Sequence, residues 1–206
     1  MERRRPPEEG GGARRPGTSR ARLFLALDPI DSARAALAVW RDEALGGQAG
    51  LRLVPAQSLH VTLVFLGHRP EAEIEPIAGS LGAVARLTAP VLWPVGIQAV
   101  PRRRPRLLAL ELDDPEGRAG AVQAAASGAL EAQELHAPER RPFWPHVTLA
   151  RVRGQRRDEP SPALGPEAGR PEGPLRFEHV TLYRSHLDPG GARYEPLARH
   201  RLPFVA

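Results

Sequence analysis

Two copies of the tetrapeptide His-Val-Thr-Leu, beginning at His60 and His146, constrain the fold more than any other feature of the sequence. Each copy follows the same order of predicted elements: a short apolar strand, an amphipathic helix and the strand that carries the motif. The spacing also matches, because Asp28 at the end of the first strand precedes His60 by 32 residues and Asp113 precedes His146 by 33. This repeat predicts an internal duplication with two strand–helix–strand halves.

Apolar periodicity predicts the remaining elements. Strands are predicted at 22–28, 60–67, 91–99, 107–113, 146–152 and 177–187, and helices at 31–45, 74–84 and 119–130. In the second half a loop rich in Gly, Pro and Arg, at about 153–174, replaces the helix that follows the first motif. Residues 1–20 are similarly rich in these residues and lack periodicity, which predicts a disordered basic tail. A single domain is therefore expected at 21–206, with halves at about 21–103 and 104–206.

Strand geometry separates the side chains of each motif onto two faces. Residues two apart on a strand share a face, so His60 and Thr62 point one way while the apolar residues between and after them point the other. The same holds for His146 and Thr148. Because the apolar faces must pack against helices, we expect both His/Thr faces to look into the space between the halves.

Two imidazoles and two hydroxyls that face one another suit the opening of a cyclic phosphodiester by water. The reaction needs a neutral imidazole to take a proton from water and an imidazolium to protonate the departing oxygen. Imidazole can serve either role near neutral pH, because its unperturbed pKa is about 6.5. The hydroxyls of Thr62 and Thr148 are expected to bind the non-bridging phosphate oxygens as charge develops on them. This set of groups acts without a metal.

The composition excludes several competing chemistries. The chain contains no Cys, which rules out a disulfide scaffold, a Cys-ligated metal and a thiol nucleophile. It also contains no Lys, which rules out a Schiff base, a lysyl-nucleotidyl intermediate and the Lys of a phosphate-binding P-loop. All 29 basic residues are therefore Arg, and abundant Arg, Ala, Gly and Pro is typical of a GC-rich genome.

Charge and hydropathy indicate an anionic partner and no membrane segment. The formal net charge of +5 and the pI near 10.9 fit a ligand such as RNA. The basic run 102–106, which joins the two halves, is a candidate for RNA contact, with a solvated connector as the alternative. The longest apolar stretches are about five or six residues, and the N-terminus lacks the apolar segment of a secretory signal. We expect a monomer in the cytoplasm.

Around both motifs the chain resembles the RNA 2′,3′-cyclic phosphodiesterases of the 2H superfamily, which are also called 2′-5′ RNA ligases. The resemblance extends from about Arg22 to Phe204, and its markers are the segments 23–28, 59–67, 141–151, 181–185 and 191–194. A single His-x-Thr has little specificity, whereas two in these settings and in this order are specific.

The resemblance implies an α+β fold with two pseudo-symmetric lobes, each an antiparallel sheet with outer helices, and an active-site cleft between them. It implies that His60 is the proton donor and His146 the proton acceptor, that a 2′-phosphate is the product, and that no metal or nucleotide cofactor takes part. Arg151 matches a family arginine that could bind the phosphate. Strand alternation puts Arg151 on the face opposite His146, so it serves only if the strand twists or ends there.

The third copy of the tetrapeptide, at His179–Leu182, is not assigned to the site. No strand and helix precede it in the repeat order, and members of the family share the Thr-Leu-Tyr of this strand without requiring a His before it. His68 stands where an acidic residue is common in the family, so the rim of the site is expected to differ there.

Three functions remain open on sequence alone. The first is hydrolysis of 2′,3′-cyclic phosphate at RNA 3′ ends. The second keeps the same acid–base pair but acts on another cyclic nucleotide or a 2′,5′-linked oligonucleotide, because loops such as 101–106 and 153–174 select the substrate. The third is an RNA- or nucleotide-binding module that has lost catalysis. Turnover of an oligonucleotide with a 2′,3′-cyclic end discriminates among the three.

Overall fold

The structure, a computed structural model, describes residues 19–153, 169–188 and 191–204. Its helices and strands, in chain order, are β1 Arg20–Pro29, α1 Asp31–Leu45, β2 Leu51–Leu53, β3 Val61–Pro70, α2 Ile74–Gly79, β4 Val91–Val100, β5 Leu107–Asp113, α3 Arg118–Glu131, β6 His146–Val152, β7 Leu175–Asp188 and β8 Gly191–Arg201. Most of the predicted tail 1–20 and the greater part of the predicted loop 153–174 lie outside the described residues.

The strand ladders are antiparallel and join the strands in two groups of four. Ladders of three or more residue pairs give the order β3–β1–β7–β8 in one group and β4–β5–β6–β2 in the other. Where the chain is described, shorter ladders connect the groups: the pair Val61–Val147 joins β3 to β6, and pairs at Val91 and Leu92 join β4 to β7. The strands thus form one continuous sheet accompanied by helices, which confirms the predicted α+β class.

The two groups of strands do not coincide with the two halves of the chain. The first group takes β1 and β3 from the first half and β7 and β8 from the second, and the other group is equally mixed. The boundary predicted near residue 103 therefore divides the sequence repeat, and it does not divide the two groups of strands. The exchange brings β3 beside β6, which places the two motif strands next to each other.

The core forms where the apolar faces of the strands meet the helices. Alternate residues of β1, namely Leu23, Leu25 and Leu27, have no exposed surface, and each contributes roughly 1.5–3 kcal/mol by burial. Helix α3 buries Ala119, Val122, Ala126 and Leu130, the four residues whose spacing predicted it. None of the described helices combines the length and the apolar character that crossing a bilayer requires.

The helix predicted at 74–84 is wrong in its second part, because α2 ends at Gly79 and a 3-10 helix covers Ser80–Val84. Two glycines in this stretch lower helix propensity, and the Ser80 hydroxyl donates to the Ile77 carbonyl at 2.6 Å, which competes with the regular backbone pattern. The apolar residues Ile77, Leu81 and Val84 are buried nevertheless. Strands β2 and β8 were not predicted, since one has three residues and the other lacks apolar alternation.

Candidate active site

Both motif strands contain a β-bulge at the same residue of the tetrapeptide. Leu63 in β3 and Leu149 in β6 have no partner across the ladder, while the residues on either side of each leucine pair with consecutive residues of the neighbouring strand. An extra residue reverses the alternation of faces beyond it. Arg151 is thereby returned to the face of His146 and Thr148, and it lines the same cavity as Thr148. On strand alternation alone, Arg151 could reach the site only if the strand were irregular, and this bulge provides the irregularity.

His60 lies at the residue before β3, and backbone geometry sets its tautomer. Its Nδ1 lies 2.8 Å from the Ser58 carbonyl oxygen, which can only accept, so Nδ1 carries the proton and donates it. Nε2 is then the basic nitrogen of the neutral ring, and it lies 3.2 Å from the Thr62 hydroxyl oxygen. The nitrogen available for proton transfer therefore points along the His/Thr face.

His146 repeats this local geometry at the start of β6. Its Nδ1 lies 2.8 Å from the Trp144 carbonyl oxygen, again two residues before the histidine, so Nδ1 donates and Nε2 is the basic nitrogen. The indole ring of Trp144 stacks on the imidazole with 4.1 Å between ring centroids. Both histidines are therefore fixed in the same tautomer by the same kind of bond.

Aromatic rings and a buried carboxylate surround His60. Phe24 stacks on the imidazole with 5.0 Å between centroids, and Tyr194 approaches it edge-on at 5.3 Å. The Asp28 side chain is only 2% exposed and accepts hydrogen bonds from the Thr181 hydroxyl at 2.7 Å and the Tyr183 hydroxyl at 3.1 Å. The carboxylate is thus held in place beneath the site without a direct hydrogen bond to His60 in the described structure.

Burial depresses the pKa of both histidines. Loss of hydration lowers the pKa of His60 from 6.5 to about 4, against an opposing contribution from the Asp28 carboxylate, which raises it. The positive charge of a protonated His146 also lowers the His60 pKa. Burial likewise lowers the pKa of His146, although the Trp144 carbonyl opposes this. Both rings are therefore neutral at pH 7 when the site is empty.

A carboxylate, that of Glu111, also lies opposite His146, but it accepts hydrogen bonds from nitrogen donors, whereas Asp28 accepts them from hydroxyl groups. Glu111 pairs with His146 across the β5–β6 ladder. Its two oxygens accept hydrogen bonds from the Trp144 indole nitrogen at 3.1 Å and from the Gln98 amide at 2.8 Å. Glu111 therefore supports the ring that stacks on His146.

The strand register corrects the alignment of the repeat. Glu111 lies one residue beyond the Leu110–Val147 pair, just as Asp28 lies one residue beyond Leu27–Val61. The equivalent of Asp28 is therefore Glu111. Asp113, which the sequence spacing matched to Asp28, pairs with Trp93 of β4 instead, so that match is wrong by two residues.

Four of the five predicted site residues line one cavity of about 120 Å³: His60, Thr62, Thr148 and Arg151. His146 does not line this cavity, although its charge acts on His60. Sequence patterns missed other lining residues, namely Arg22, Phe24, Val54, Ser58, Phe65, Ser185 and Tyr194. Strand alternation in β1 could have found Arg22 and Phe24, which share a face with Asp28, whereas Tyr194 lies in the family-marker segment 191–194 but was given no role in the site.

The structure leaves the residues that the sequence set aside outside this cavity. His179 pairs with Asp28 across the β1–β7 ladder, and its Nδ1 lies 3.4 Å from Glu178. His68 lines a neighbouring groove with Arg20 and Arg184. The basic run 102–106 forms the turn between β4 and β5 and does not line the cavity, so its predicted contact with RNA stays a prediction.

Comparison with known proteins agrees with the motifs and with the fold. The family model of the 2′-5′ RNA ligase superfamily matches residues 28–189. An RNA 2′,3′-cyclic phosphodiesterase of Thermus thermophilus is 32% identical, over 88% of this chain and 90% of the relative. The Escherichia coli protein of the same name is 30% identical, over 88% of this chain and 96% of the relative.

Solved structures give the same result. TT0787 of Thermus thermophilus superposes with a TM-score of 0.72 at 30% identity, covering 88% of this chain and 97% of its own. Escherichia coli LigT complexed with 3′-AMP superposes with a TM-score of 0.65 at 26% identity, covering 89% of this chain and 99% of its own. The chain therefore belongs to the 2′-5′ RNA ligase superfamily, as its two histidine motifs predicted.

Proposed function

We propose that this protein hydrolyses the 2′,3′-cyclic phosphate at RNA 3′ ends to a 2′-phosphomonoester, with His60 and His146 as its acid–base pair. The observation that carries this proposal is that two His-x-Thr strands, which share a bulge and a histidine tautomer, lie side by side at a small cavity lined by His60, Thr62 and Thr148. The curated relatives named RNA 2′,3′-cyclic phosphodiesterase support the choice of substrate.

The proposed step moves two protons. Neutral His146 takes a proton from water at Nε2 as the water oxygen attacks phosphorus, and the bond from phosphorus to O3′ breaks. His60, protonated at Nε2, gives its proton to O3′, which leaves as the 3′-hydroxyl. The product is a 2′-phosphomonoester, and the histidines return to their starting states by exchanging one proton each with solvent.

Three further side chains are proposed to hold the reacting phosphate. The hydroxyls of Thr62 and Thr148 can donate to the two non-bridging oxygens, on which negative charge increases in the transition state. The Arg151 guanidinium lies in the same cavity and can add charge-assisted hydrogen bonds. These donors are fixed by strands, so little reorganisation accompanies the reaction.

The donor role requires that His60 carry a proton, although burial lowers its pKa to about 4 in the empty site. Asp28 opposes that effect, and the negative charge of a bound phosphodiester adds to this opposition, because a nearby anion stabilises the imidazolium. We infer that His60 becomes charged in the substrate complex. The buried position that keeps it neutral when empty also strengthens its interaction with the bound anion.

The same proposal includes a cleft between two lobes. One lobe would consist of β3, β1, β7 and β8 and the other of β4, β5, β6 and β2, related by a pseudo-twofold axis. The equivalent bulges, the equivalent histidine bonds and the Asp28–Glu111 correspondence support this symmetry. The monomeric state and the cytoplasmic location remain predictions.

The test is turnover of an oligonucleotide with a 2′,3′-cyclic end, with the product identified as the 2′- or the 3′-phosphate. Release of the 2′-phosphate is expected. Turnover only of a 3′,5′-cyclic nucleotide or of a 2′,5′ linkage would replace the substrate, and binding without turnover of any of these would indicate a non-catalytic module.

A second substrate assigns the two histidines. A diester whose leaving group is 4-nitrophenolate needs no proton donor, because the anion is stable in water. His60→Ala should keep far more activity on this diester than His146→Ala, relative to wild type. The reverse order would exchange the donor and acceptor roles.

A further inference from the structure

Two arginines face each other across the β2–β6 ladder beside the candidate active site. Arg52 of β2 is the direct partner of Arg151 of β6, so their side chains lie on the same face of the sheet. Like charges at directly opposite positions destabilise a ladder. Two facing arginines are therefore expected where an anion binds between them, because the anion compensates their repulsion.

The Arg52 guanidinium lies against the backbone of β8. A Cβ built on Gly191, at the start of β8, would lie 3.3 Å from both Cζ and Nη1 of Arg52, so the backbone of β8 packs closely against this side chain. Gly191 has a φ of +129°, which also disfavours any other residue there. In the described part of the chain, no carboxylate oxygen lies within 4.0 Å of a nitrogen of Arg52 or Arg151.

Both arginines line a pocket of about 80 Å³ that adjoins the catalytic cavity. Both spaces are lined by Val54, Ser58, Arg151 and Tyr194, whereas Arg52 lines only the smaller pocket. The positive charge therefore extends from the cavity of the reacting phosphate into the smaller pocket. The smaller pocket is walled by the first strand residues of β8 and by the chain that leads into the first motif.

We propose that Arg52 binds a second phosphate of the substrate, the phosphodiester on the 5′ side of the terminal nucleotide, and that Arg151, which lines both spaces, contacts this phosphate as well as the reacting one. This inference rests on the proposed function. An RNA that ends in a cyclic phosphate has its other phosphates only on the 5′ side, so a second phosphate site next to the catalytic cavity must take one of these. Two guanidiniums can bind one phosphate with paired hydrogen bonds, and the anion removes their mutual repulsion.

Steady-state kinetics on two substrates tests the proposal. Adenosine 2′,3′-cyclic phosphate has no 5′ phosphate, whereas the dinucleotide ApA with a 2′,3′-cyclic end has one. Arg52→Gln should lower the ratio of kcat/KM for the dinucleotide to that for the mononucleotide by about tenfold, the effect of losing a charge-assisted hydrogen bond. Arg176→Gln, which removes an exposed strand arginine outside both spaces, should leave the ratio unchanged.

Two outcomes overturn the inference. Equal losses on both substrates would place Arg52 at the reacting phosphate or in the fold, and no loss on either would leave it without a role in binding. Arg52→Lys separates charge from geometry, because it keeps the charge but loses the paired hydrogen bonds, so an intermediate ratio is expected.

Thermal melting distinguishes a binding role from a structural one. Arg52→Gln relieves the repulsion with Arg151, so its melting temperature without ligand should equal or exceed that of wild type. Inorganic phosphate should stabilise wild type more than the variant. If wild type turned over neither substrate, the proposed function would fail, and the phosphate shift would then decide the arginine pair by itself: an equal shift in both proteins overturns it.

Discussion

His60 and His146 occupy the same position in equivalent motifs, yet their surroundings differ. His60 lies among Phe24, Tyr183 and Tyr194, and burial lowers its pKa against the opposing charge of the nearby Asp28 carboxylate. His146 stacks on a single indole ring, and the carboxylate opposite it holds that indole. The two motifs therefore share their backbone geometry, whereas the side chains around each histidine differ.

The two carboxylates differ in how they act on the neighbouring histidines. Asp28 accepts from two hydroxyl groups and acts on His60 through its charge. Glu111 accepts from Trp144 and Gln98, and it is not among the groups that shift the pKa of His146. Burial nevertheless lowers the pKa of His60 to about 4, so the Asp28 carboxylate offsets only part of the effect of burial. The proposed donor role of His60 therefore depends on the negative charge of the bound substrate in addition to that of Asp28.

The largest expected effect comes from removing either imidazole. His60→Ala and His146→Ala should each lower kcat on the cyclic-ended oligonucleotide by about 10²–10⁴, the usual contribution of general acid–base catalysis. His179→Ala is the matched control, because it removes a histidine of the same tetrapeptide whose Nδ1 lies beside the Glu178 carboxylate and which is not among the groups that act on the His60 pKa, and it should stay within a few fold of wild type. A loss of kcat in His179→Ala as severe as in the other two variants would contradict the choice of His60 and His146 as the acid–base pair.

Loss of a motif hydroxyl should cost less. Thr62→Val and Thr148→Val remove one donor each while keeping the side-chain shape, and each should lower kcat by about 10² if its hydroxyl binds a phosphate oxygen in the transition state. Thr→Ser at either position should recover most of the activity. Similar losses at both sites would show that the duplicated strands contribute equally, and an unaffected Thr148→Val would show that they do not.

The pH profile tests the difference between the two carboxylates. Because kcat/KM reports the free enzyme, and burial lowers the pKa of both histidines, its high-pH limb should lie below pH 6.5. Asp28→Asn removes a charge that raises the His60 pKa, so this limb should move to lower pH and kcat/KM at pH 7 should fall by about tenfold. Glu111→Gln should not move the limb. Profiles that coincide for wild type and Asp28→Asn would contradict the electrostatic role.

Local patterns in the sequence predicted four of the residues that line the candidate cavity. The His-x-Thr pairs are visible because both residues lie on one strand, and alternation put them on one face with their apolar neighbours in the core. The same local rule failed at Arg151, since a bulge at Leu149 depends on the partner strand. Spacing along the chain also matched Asp113 to Asp28, whereas the ladder selects Glu111.

The local sequence could not predict which residues of distant strands reach the site. Tyr194 reaches His60 from β8, which was not predicted, and Arg52 comes from a strand of three residues. Tyr194 lies in the family-marker segment 191–194, but neither residue could be assigned to the site locally, because its role depends on which strands become neighbours. The exchange of strands between the chain halves produces these contacts, and no repeat in the sequence encodes that exchange.

The smallest expected effect is that of a chelator, and it tests whether the two motifs suffice. Where the chain is described, no cluster of three or more His, Asp or Glu side chains could hold a metal ion. The carboxylates nearest the histidines already accept hydrogen bonds from protein groups: Asp28 accepts from hydroxyl groups and Glu111 from nitrogen donors. Activity on the cyclic-ended oligonucleotide should therefore stay within a factor of about two after prolonged EDTA treatment and desalting. A loss that added Mg²⁺ or Zn²⁺ restores would show that a cation supplies part of the charge stabilisation assigned here to Thr62, Thr148 and Arg151.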